Sequence, residues 1–179
     1  VVILLIAVIV LPLMTGMQVW AKTESKQLDI LFTHDTHSHL NSFTTIVNGE
    51  KKEAGGFAKL KTLINEHKKV NPDTLVLDGG DFSMGTLIQT VYDTEAAELR
   101  MLGQIGCDVT TLGNHEFDYQ SKGLADMLNA AKNSGDTVPS LVLCNVDWDA
   151  MEEAGLSEDQ KQIQSAFEKY QVKDYVVVQ

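Results

Sequence analysis

The sequence predicts an α/β fold in which a mainly parallel sheet carries a functional site along one edge. Two observations lead to this prediction. Short apolar runs typical of buried strands alternate with longer stretches whose apolar residues recur at helical spacing. Three of these runs end directly in clusters of Gly, Asp, Asn and His. Strands that alternate with helices favour parallel pairing, with helices covering both faces of the sheet.

The first 21 residues form a segment of their own. Residues 1–14 are almost wholly apolar, and Val19-Trp20-Ala21 precede the first lysine. An apolar run of about 7–15 residues followed by small residues is typical of a secretory signal peptide, whereas a membrane span needs about 20 residues. We therefore expect residues 1–21 to be a signal peptide, with an uncleaved N-terminal anchor as the alternative, followed by a polar linker at 22–27. Either role places the remainder outside the cytoplasm, as a secreted, periplasmic or cell-surface protein.

Short apolar runs predict the strands. They cover residues 28–32, 74–77, 109–112, 141–144 and 175–178. The polar segment 41–53 lies between the first two runs, and its Asn48-Gly49 pair indicates a turn.

Helical patterns fill the spaces between the strands. The stretches run from Gly55-Gly56 to about residue 70, from about 94 to 105, and from 121 to 133, and a further helix follows residue 157. Asp93 is the expected N-cap of the second stretch. Ser157 and Gln160 have the spacing of a capping box, which predicts the start of the last helix.

Charge and cysteine usage restrict the possible functions. A net charge of −11 excludes nonspecific binding to a nucleic acid polymer, because the phosphate backbone would be repelled. A phosphorylated small molecule can still bind if metal cations supply local positive charge. Cys107 and Cys144 lack the spacing and neighbouring histidines of a zinc finger. We expect both to be small buried residues at strand ends, and a disulfide remains an open alternative.

Three polar clusters carry the predicted chemistry. They are Asp35-Thr36-His37, Gly79-Gly80-Asp81 and Gly113-Asn114-His115, and each follows a predicted strand. Because ligands bind beyond the carboxyl ends of parallel strands, we expect the three clusters to meet at one edge of the sheet. Carboxylate, imidazole and amide ligands together suit Zn, Mn or Fe rather than a thiolate site.

The order and spacing of these clusters resemble the signature of the calcineurin-like metallophosphoesterase superfamily. Segments 30–37 and 113–118 resemble its 5′-nucleotidase branch, which includes UDP-sugar hydrolases and 2′,3′-cyclic-nucleotide phosphodiesterases. Segments 54–58 and 144–146 also resemble the pattern of that branch, so the likeness covers roughly residues 28–146. The resemblance implies a layered α/β fold of two sheets flanked by helices. Residues 28–179 would supply only the N-terminal part of that catalytic domain.

The resemblance also implies a site for two divalent metal ions, which could be Zn, Mn, Fe or Co. Asp35 and His37 would bind the first ion, Asp81 would bridge the two ions, and Asn114 would bind the second. Two cations about 3.5–4 Å apart hold a phosphate and lower the pKa of a shared water molecule, which then attacks in line.

The resemblance implies a different role for His115, which would not bind metal. It would stabilise the transition state or protonate the leaving oxygen, and Asp118 would orient it. From the residues alone, Asp118 fits equally well as a cap of the helix that begins near Ser121.

The neighbouring polar residues match no ligand position of the family. His34 and His39 are expected to line the site or support its ligands. His67 lies on a lysine-rich helix face and is expected to be solvated, and Glu116 is expected to serve loop structure.

The sequence departs from the family pattern after His115. None of its five histidines follows that position, whereas later loops of the family carry further histidine ligands. Nucleotide recognition in the family comes from a separate C-terminal domain, so we expect the substrate-binding residues beyond residue 179. The expected activity is hydrolysis of nucleotide phosphate esters outside the cytoplasm, with weak metal binding and little turnover by residues 1–179 alone. A 2′,3′-cyclic-nucleotide phosphodiesterase or a UDP-sugar hydrolase with the same site is the enzymatic alternative. A non-catalytic surface module is the alternative, and it predicts decayed ligand positions, which the visible clusters do not show.

Overall fold

The computed structural model describes residues 27–178 of the chain. The expected signal peptide or anchor at 1–21 lies outside the described residues, as does most of the linker. Within residues 27–178, no helix combines the length and apolar character needed to cross a bilayer.

A four-stranded parallel sheet forms the centre of the fold, in the order β1-β4-β5-β6. A separate antiparallel hairpin consists of β2 and β3. The strands are β1 (Ile30–Thr33), β2 (Phe43–Val47), β3 (Glu50–Ala54), β4 (Leu75–Asp78), β5 (Val109–Thr110) and β6 (Ser140–Leu141). The parallel α/β prediction is therefore confirmed, whereas the hairpin occupies a segment in which only a turn was expected.

Six α-helices and two 3₁₀ turns surround the sheet in the described chain. The helices are α1 (Phe57–Val70), α2 (Tyr92–Glu95), α3 (Ala97–Ile105), α4 (Gln120–Asn133), α5 (Trp148–Ala154) and α6 (Glu158–Tyr170). The 3₁₀ turns cover Leu87–Val91 and His115–Phe117. The capping box at Ser157 and Gln160 is confirmed at the start of α6.

The predicted helix over 94–105 is in fact two helices. Ala96 adopts left-handed backbone with φ 47° and separates α2 from α3. Asp93 lies inside α2 and does not cap α3, so that prediction was wrong. The break lets Tyr92 and Glu98 enter the interior from separate helices, and both side chains are fully buried.

One face of the parallel sheet belongs to the core formed with the helices, and the opposite face is partly exposed within residues 27–178. On that face Leu31 lies beside Val76, which is 1% exposed and belongs to the core formed with the helices. On the opposite face, Ile30 is 45% exposed and Phe32 is 62% exposed. The expectation that both faces are covered therefore does not hold at the edge strand β1, whereas Val109 of β5, on the same face as Phe32, is 9% exposed.

Two further expectations do not hold. Residues 175–178 form no strand, and the pairing just before them is an isolated parallel bridge between Val142 and Lys173. The two cysteines are free thiols, and Cys107 is buried as expected whereas Cys144 is exposed.

Candidate metal centre

The three polar loops lie side by side because they leave neighbouring parallel strands. They follow β1, β4 and β5, which are consecutive in the sheet. The first loop continues the pairing of β1 with β4 beyond the strands: Asp35 donates its N–H to the carbonyl of Gly80 (3.0 Å), and His37 donates to Asp81 (3.1 Å). The prediction that these loops share one edge of the sheet agrees with this arrangement.

The first two loops form a group with the composition of a metal site. Asp35, His37 and Asp81 each offer one ligand atom, and these atoms lie within 4.8 Å of one another. The Nδ1 atom of His37 faces the carbonyl oxygens of Ser83 (3.3 Å) and Met84 (3.2 Å). Donation from Nδ1 to a backbone carbonyl leaves Nε2 free to bind an ion, as in metal-binding histidines generally.

Asn114 lies against the carboxylate of Asp81. With its nitrogen facing that group, the Asn114 amide donates a hydrogen bond of 3.1 Å to Oδ2 of Asp81. If the Asn114 amide is rotated by half a turn, its oxygen faces Oδ2 of Asp81 instead, and two hydrogen-bond acceptors then lie opposite each other. A cation between them would stabilise that arrangement, and amide and carboxylate oxygens are suitable ligands for it. The residues present therefore fit the implied metal ions.

The backbone of the ligand loops is strained. The φ angles of Asp35, His37 and Asp81 are 51°, 43° and 52°, all in the left-handed region. Such conformations cost energy for residues with a Cβ atom and persist only where the surroundings hold them in place. All three residues of the candidate metal-binding group thus share a feature that is common at functional sites.

Two glycines allow the second and third loops to touch through their backbones. A Cβ on Gly80 would lie 2.6 Å from the nitrogen of Gly113. A Cβ on Gly113 would lie 2.6 Å from the nitrogen of Asp81. Only residues without a side chain permit this approach.

His34 supports the carboxylate of Asp35. Its Nδ1 lies 2.5 Å from Oδ2 of Asp35, and this hydrogen bond is the main reason why the pKa of Asp35 is lowered. A lowered pKa keeps the carboxylate ionised, which is the form that binds a cation.

His115 and Asp118 form a pair beside this group. The Nδ1 atom of His115 lies 2.8 Å from Oδ2 of Asp118, and the hydrogen bond is the main cause of a raised pKa at His115. The imidazole also meets the ring of His37 edge to face, with 5.0 Å between centroids. Asp118 does not cap α4, whose N-cap is Tyr119, so the alternative role left open by the sequence is not observed.

Buried polar residues below the loops carry contacts that sequence reasoning missed. Asp78, at the end of β4, accepts hydrogen bonds from the hydroxyls of Thr33 (2.8 Å) and Thr110 (2.9 Å). Burial is the main cause of its raised pKa. Ser38 donates to the buried Glu98 (2.6 Å). The sequence signal for these contacts is that the three adjacent strands β1, β4 and β5 each end in a polar residue, namely Thr33, Asp78 and Thr110.

Glu116 is the third of these buried groups, with an exposed fraction of 0%. Among the remaining residues near the site, His67 is partly exposed and lies 3.7 Å from Asp29. The ring of His39 bonds within its own loop, to the carbonyl of Thr36 (3.1 Å).

A parallel α/β sheet that gathers carboxylate, imidazole and amide groups at its carboxyl edge suits a metal-dependent enzyme. The chain belongs to the calcineurin-like phosphoesterase family, whose family model matches residues 28–171. Members of this family use divalent metal ions.

The relatives that the chain resembles are nucleotidases. It is 37% identical over 118 residues to the 5′-nucleotidase of Bos taurus, covering 63% of this chain and 20% of the relative. Among solved structures, the 5′-nucleotidase precursor of Thermus thermophilus aligns with a TM-score of 0.62 and 29% identity over 84% of this chain and 26% of that chain. The NAD nucleotidase of Haemophilus influenzae aligns with a TM-score of 0.56 and 31% identity over 66% and 20%. The chain thus spans about a fifth of the length of the curated relatives it matches.

Proposed function

We propose that the chain supplies part of an exported metal-dependent phosphoesterase of the 5′-nucleotidase type, which hydrolyses nucleotide phosphate esters. The observation that carries this proposal is the grouping of Asp35, His37 and Asp81 within 4.8 Å, with Asn114 against Asp81. The parallel sheet brings their three loops to one edge, but it would not by itself direct the side chains to a common point. The likeness to named 5′-nucleotidases supports the substrate class.

In this proposal the side chains divide into ligands and a proton donor. Asp35 and His37 would hold one divalent ion, Asn114 would hold the second, and Asp81 would contribute to both. The bound ions supply positive charge for the phosphate and lower the pKa of water. His115 keeps its proton to higher pH because Asp118 accepts from Nδ1, so the imidazole can meet negative charge on the leaving oxygen.

The domain organisation is part of the same proposal. Residues 1–21 direct export as a signal peptide or anchor, and residues 28–179 form the N-terminal part of the catalytic domain. The remaining ligands and the nucleotide-binding residues then come from outside residues 28–179. The share of the relatives that the chain spans supports this arrangement.

Metal analysis of the Asp81→Ala variant tests the proposal. The chain and the variant are equilibrated by dialysis with Mn²⁺ or Zn²⁺ over a range of concentrations high enough to register weak binding, and bound metal is measured by mass spectrometry. We expect the chain to retain more metal than Asp81→Ala, because the variant loses the carboxylate that both ions share. Asp73→Ala is the matched control, since it removes an exposed carboxylate at the opposite end of β4.

Equal metal content in the chain and in Asp81→Ala would reject the enzymatic proposal. It would instead favour a non-catalytic module that has kept the fold. Equal losses in Asp81→Ala and Asp73→Ala would show that net charge, rather than the site, controls metal uptake.

A further inference from the structure

The side chain of Glu116 joins the second and third loops through a single oxygen atom. Its Oε2 accepts the N–H of Asp81 (2.9 Å) and the N–H of Gly113 (2.6 Å). Gly113 directly precedes Asn114 in the chain. Oε2 of Glu116 therefore fixes the backbone of Asp81 directly and that of Asn114 through its neighbour Gly113.

The other carboxylate oxygen of Glu116 holds the segment after Asp81. Oε1 accepts from both the N–H (3.0 Å) and the hydroxyl (2.7 Å) of Ser83. The carbonyl of Ser83 in turn lies 3.3 Å from Nδ1 of His37. Through Ser83, Glu116 therefore also influences the orientation of the His37 ring in the first loop.

All four partners of the Glu116 carboxylate are donors. A carboxylate accepts through both oxygens, whereas an amide of the same shape would place an NH₂ group opposite N–H donors. The backbone of Glu116 is itself anchored, because the hydroxyl of Tyr92 donates to its carbonyl (2.7 Å). Both Glu116 and Tyr92 have an exposed fraction of 0%, so water cannot replace these bonds without local opening.

The left-handed backbone of Asp81 requires such a restraint. Its φ of 52° is unfavourable for a residue with a Cβ atom. The hydrogen bond from its N–H to Glu116 and the one that its carbonyl accepts from His37 fix the peptide groups on both sides.

We propose that Glu116 is a positioning residue of the metal centre, which sets the separation and orientation of Asp81 and Asn114. The proposal rests on the proposed metal-dependent function. Glu116 touches neither the ions nor the substrate, and it acts through the backbone of the residues that do. Groups that orient metal ligands in this way typically contribute about 10–100-fold to metal affinity.

Binding of Mn²⁺ alone to Glu116→Gln tests this role. The signal of free Mn²⁺ in electron paramagnetic resonance is followed as the intact 179-residue chain is titrated. We expect Glu116→Gln to bind Mn²⁺ about 10–100-fold more weakly than the unmodified chain. Amide hydrogen exchange, measured without metal, should be faster at Asp81, Ser83 and Gly113 in the variant.

Ile163→Ala is the matched stability control. Ile163 is a core residue of α6 with an exposed fraction of 7%, and its truncation destabilises the fold without changing the loops. We expect this variant to lower the melting temperature while leaving Mn²⁺ affinity unchanged. If Glu116→Gln fails to fold, Ser83→Ala carries the test, because it removes only the hydroxyl bond and should weaken Mn²⁺ binding by a smaller factor.

Three results would overturn the inference. The first is unchanged Mn²⁺ affinity in the folded Glu116→Gln variant, or in Ser83→Ala if that variant must be used instead. This result would reject the positioning role of Glu116 but leave the proposed function standing. Equal weakening in Ile163→Ala would show that general stability controls the affinity. Mn²⁺ binding by the unmodified chain that is no tighter than by Asp81→Ala would reject the proposed function together with the site that Glu116 positions.

Discussion

The imidazole of His115 donates from Nδ1 to the carboxylate of Asp118, with 2.8 Å between Nδ1 and Oδ2. This bond favours the protonated imidazole and raises the pKa of His115 above its ordinary value of 6.5. We expect Asp118→Asn to lower that pKa, as measured by NMR titration of the ring protons. A raised pKa keeps the proton on His115 to higher pH. As the pH is raised, hydrolysis that depends on this proton should therefore decline earlier in the variant than in the unmodified protein.

Asp126→Asn provides the control for this titration. Asp126 pairs with Lys122 on the exposed surface of α4 and does not contact His115. A pKa of His115 that stays unchanged in Asp118→Asn, or falls equally in Asp126→Asn, would contradict the role assigned to the pair.

The buried carboxylate of Asp78 predicts an unusual dependence of stability on pH. Burial raises its pKa above the ordinary value of 3.8, so the folded state binds the proton more tightly than the unfolded state. The unmodified chain should therefore gain stability relative to Asp78→Asn as the pH falls from neutral through the folded pKa towards 3.8. Urea unfolding of both proteins at several pH values in that range measures the difference.

Asp78→Ala separates hydrogen bonding from titration. It leaves two threonine hydroxyls and the N–H of Gly80 without their acceptor. We expect a loss of about 1–3 kcal/mol in the free energy of unfolding at neutral pH, which grows as the pH falls because alanine, like asparagine, does not take up the proton. A difference between the unmodified chain and Asp78→Asn that does not vary with pH would contradict the titration argument.

The sequence was sufficient to predict the three site loops, because each is a local pattern of an apolar run followed by polar residues. Parallel pairing then brought His37, Asp81 and Asn114 to one edge. The hairpin at 43–54 was missed because Glu50-Lys51-Lys52-Glu53 shows no apolar alternation.

Other features depend on tertiary contacts and left no sequence signal. Alanine is a strong helix former, yet Ala96 is left-handed and ends a helix. The four hydrogen bonds of Glu116 join residues more than thirty positions away as well as its own loop. The exposed part of the sheet face could not be inferred from the apolar runs, because a near-continuous apolar run is typical of a parallel strand that is buried on both faces.

The end of α6 offers a stabilising substitution. Gln171 is exposed and adopts left-handed backbone with φ 72°. Gln171→Gly relieves that strain, partly offset by the greater freedom of glycine in the unfolded chain. We expect a net gain of about 0.5–1 kcal/mol and a rise of roughly 1–4 °C in melting temperature, measured by calorimetry. Gln164→Gly, inside the same helix, should instead lower it by a similar amount.

The open sheet face predicts that apolar residues there contribute little to folding. Ile30→Thr keeps a β-branched side chain, and we expect a change within about 0.5 kcal/mol in the free energy of unfolding, with less self-association in sedimentation. Val76→Thr makes a comparable change on the covered face, where the residue is 1% exposed. It should cost about 1–3 kcal/mol because the added hydroxyl is buried. Similar losses in both variants would indicate that the two faces are equally packed.

The backbone contact between Gly80 and Gly113 bears on which ions the site can accept. Ions that share a bridging carboxylate stay about 3.5–4 Å apart, and the two loops meet too closely for a side chain to separate them. Substituting either glycine by alanine would widen the gap between Asp81 and Asn114 and change the preferred ionic radius. At the proposed site, we therefore expect discrimination between small and large cations to depend on these two glycines, which have no side chain.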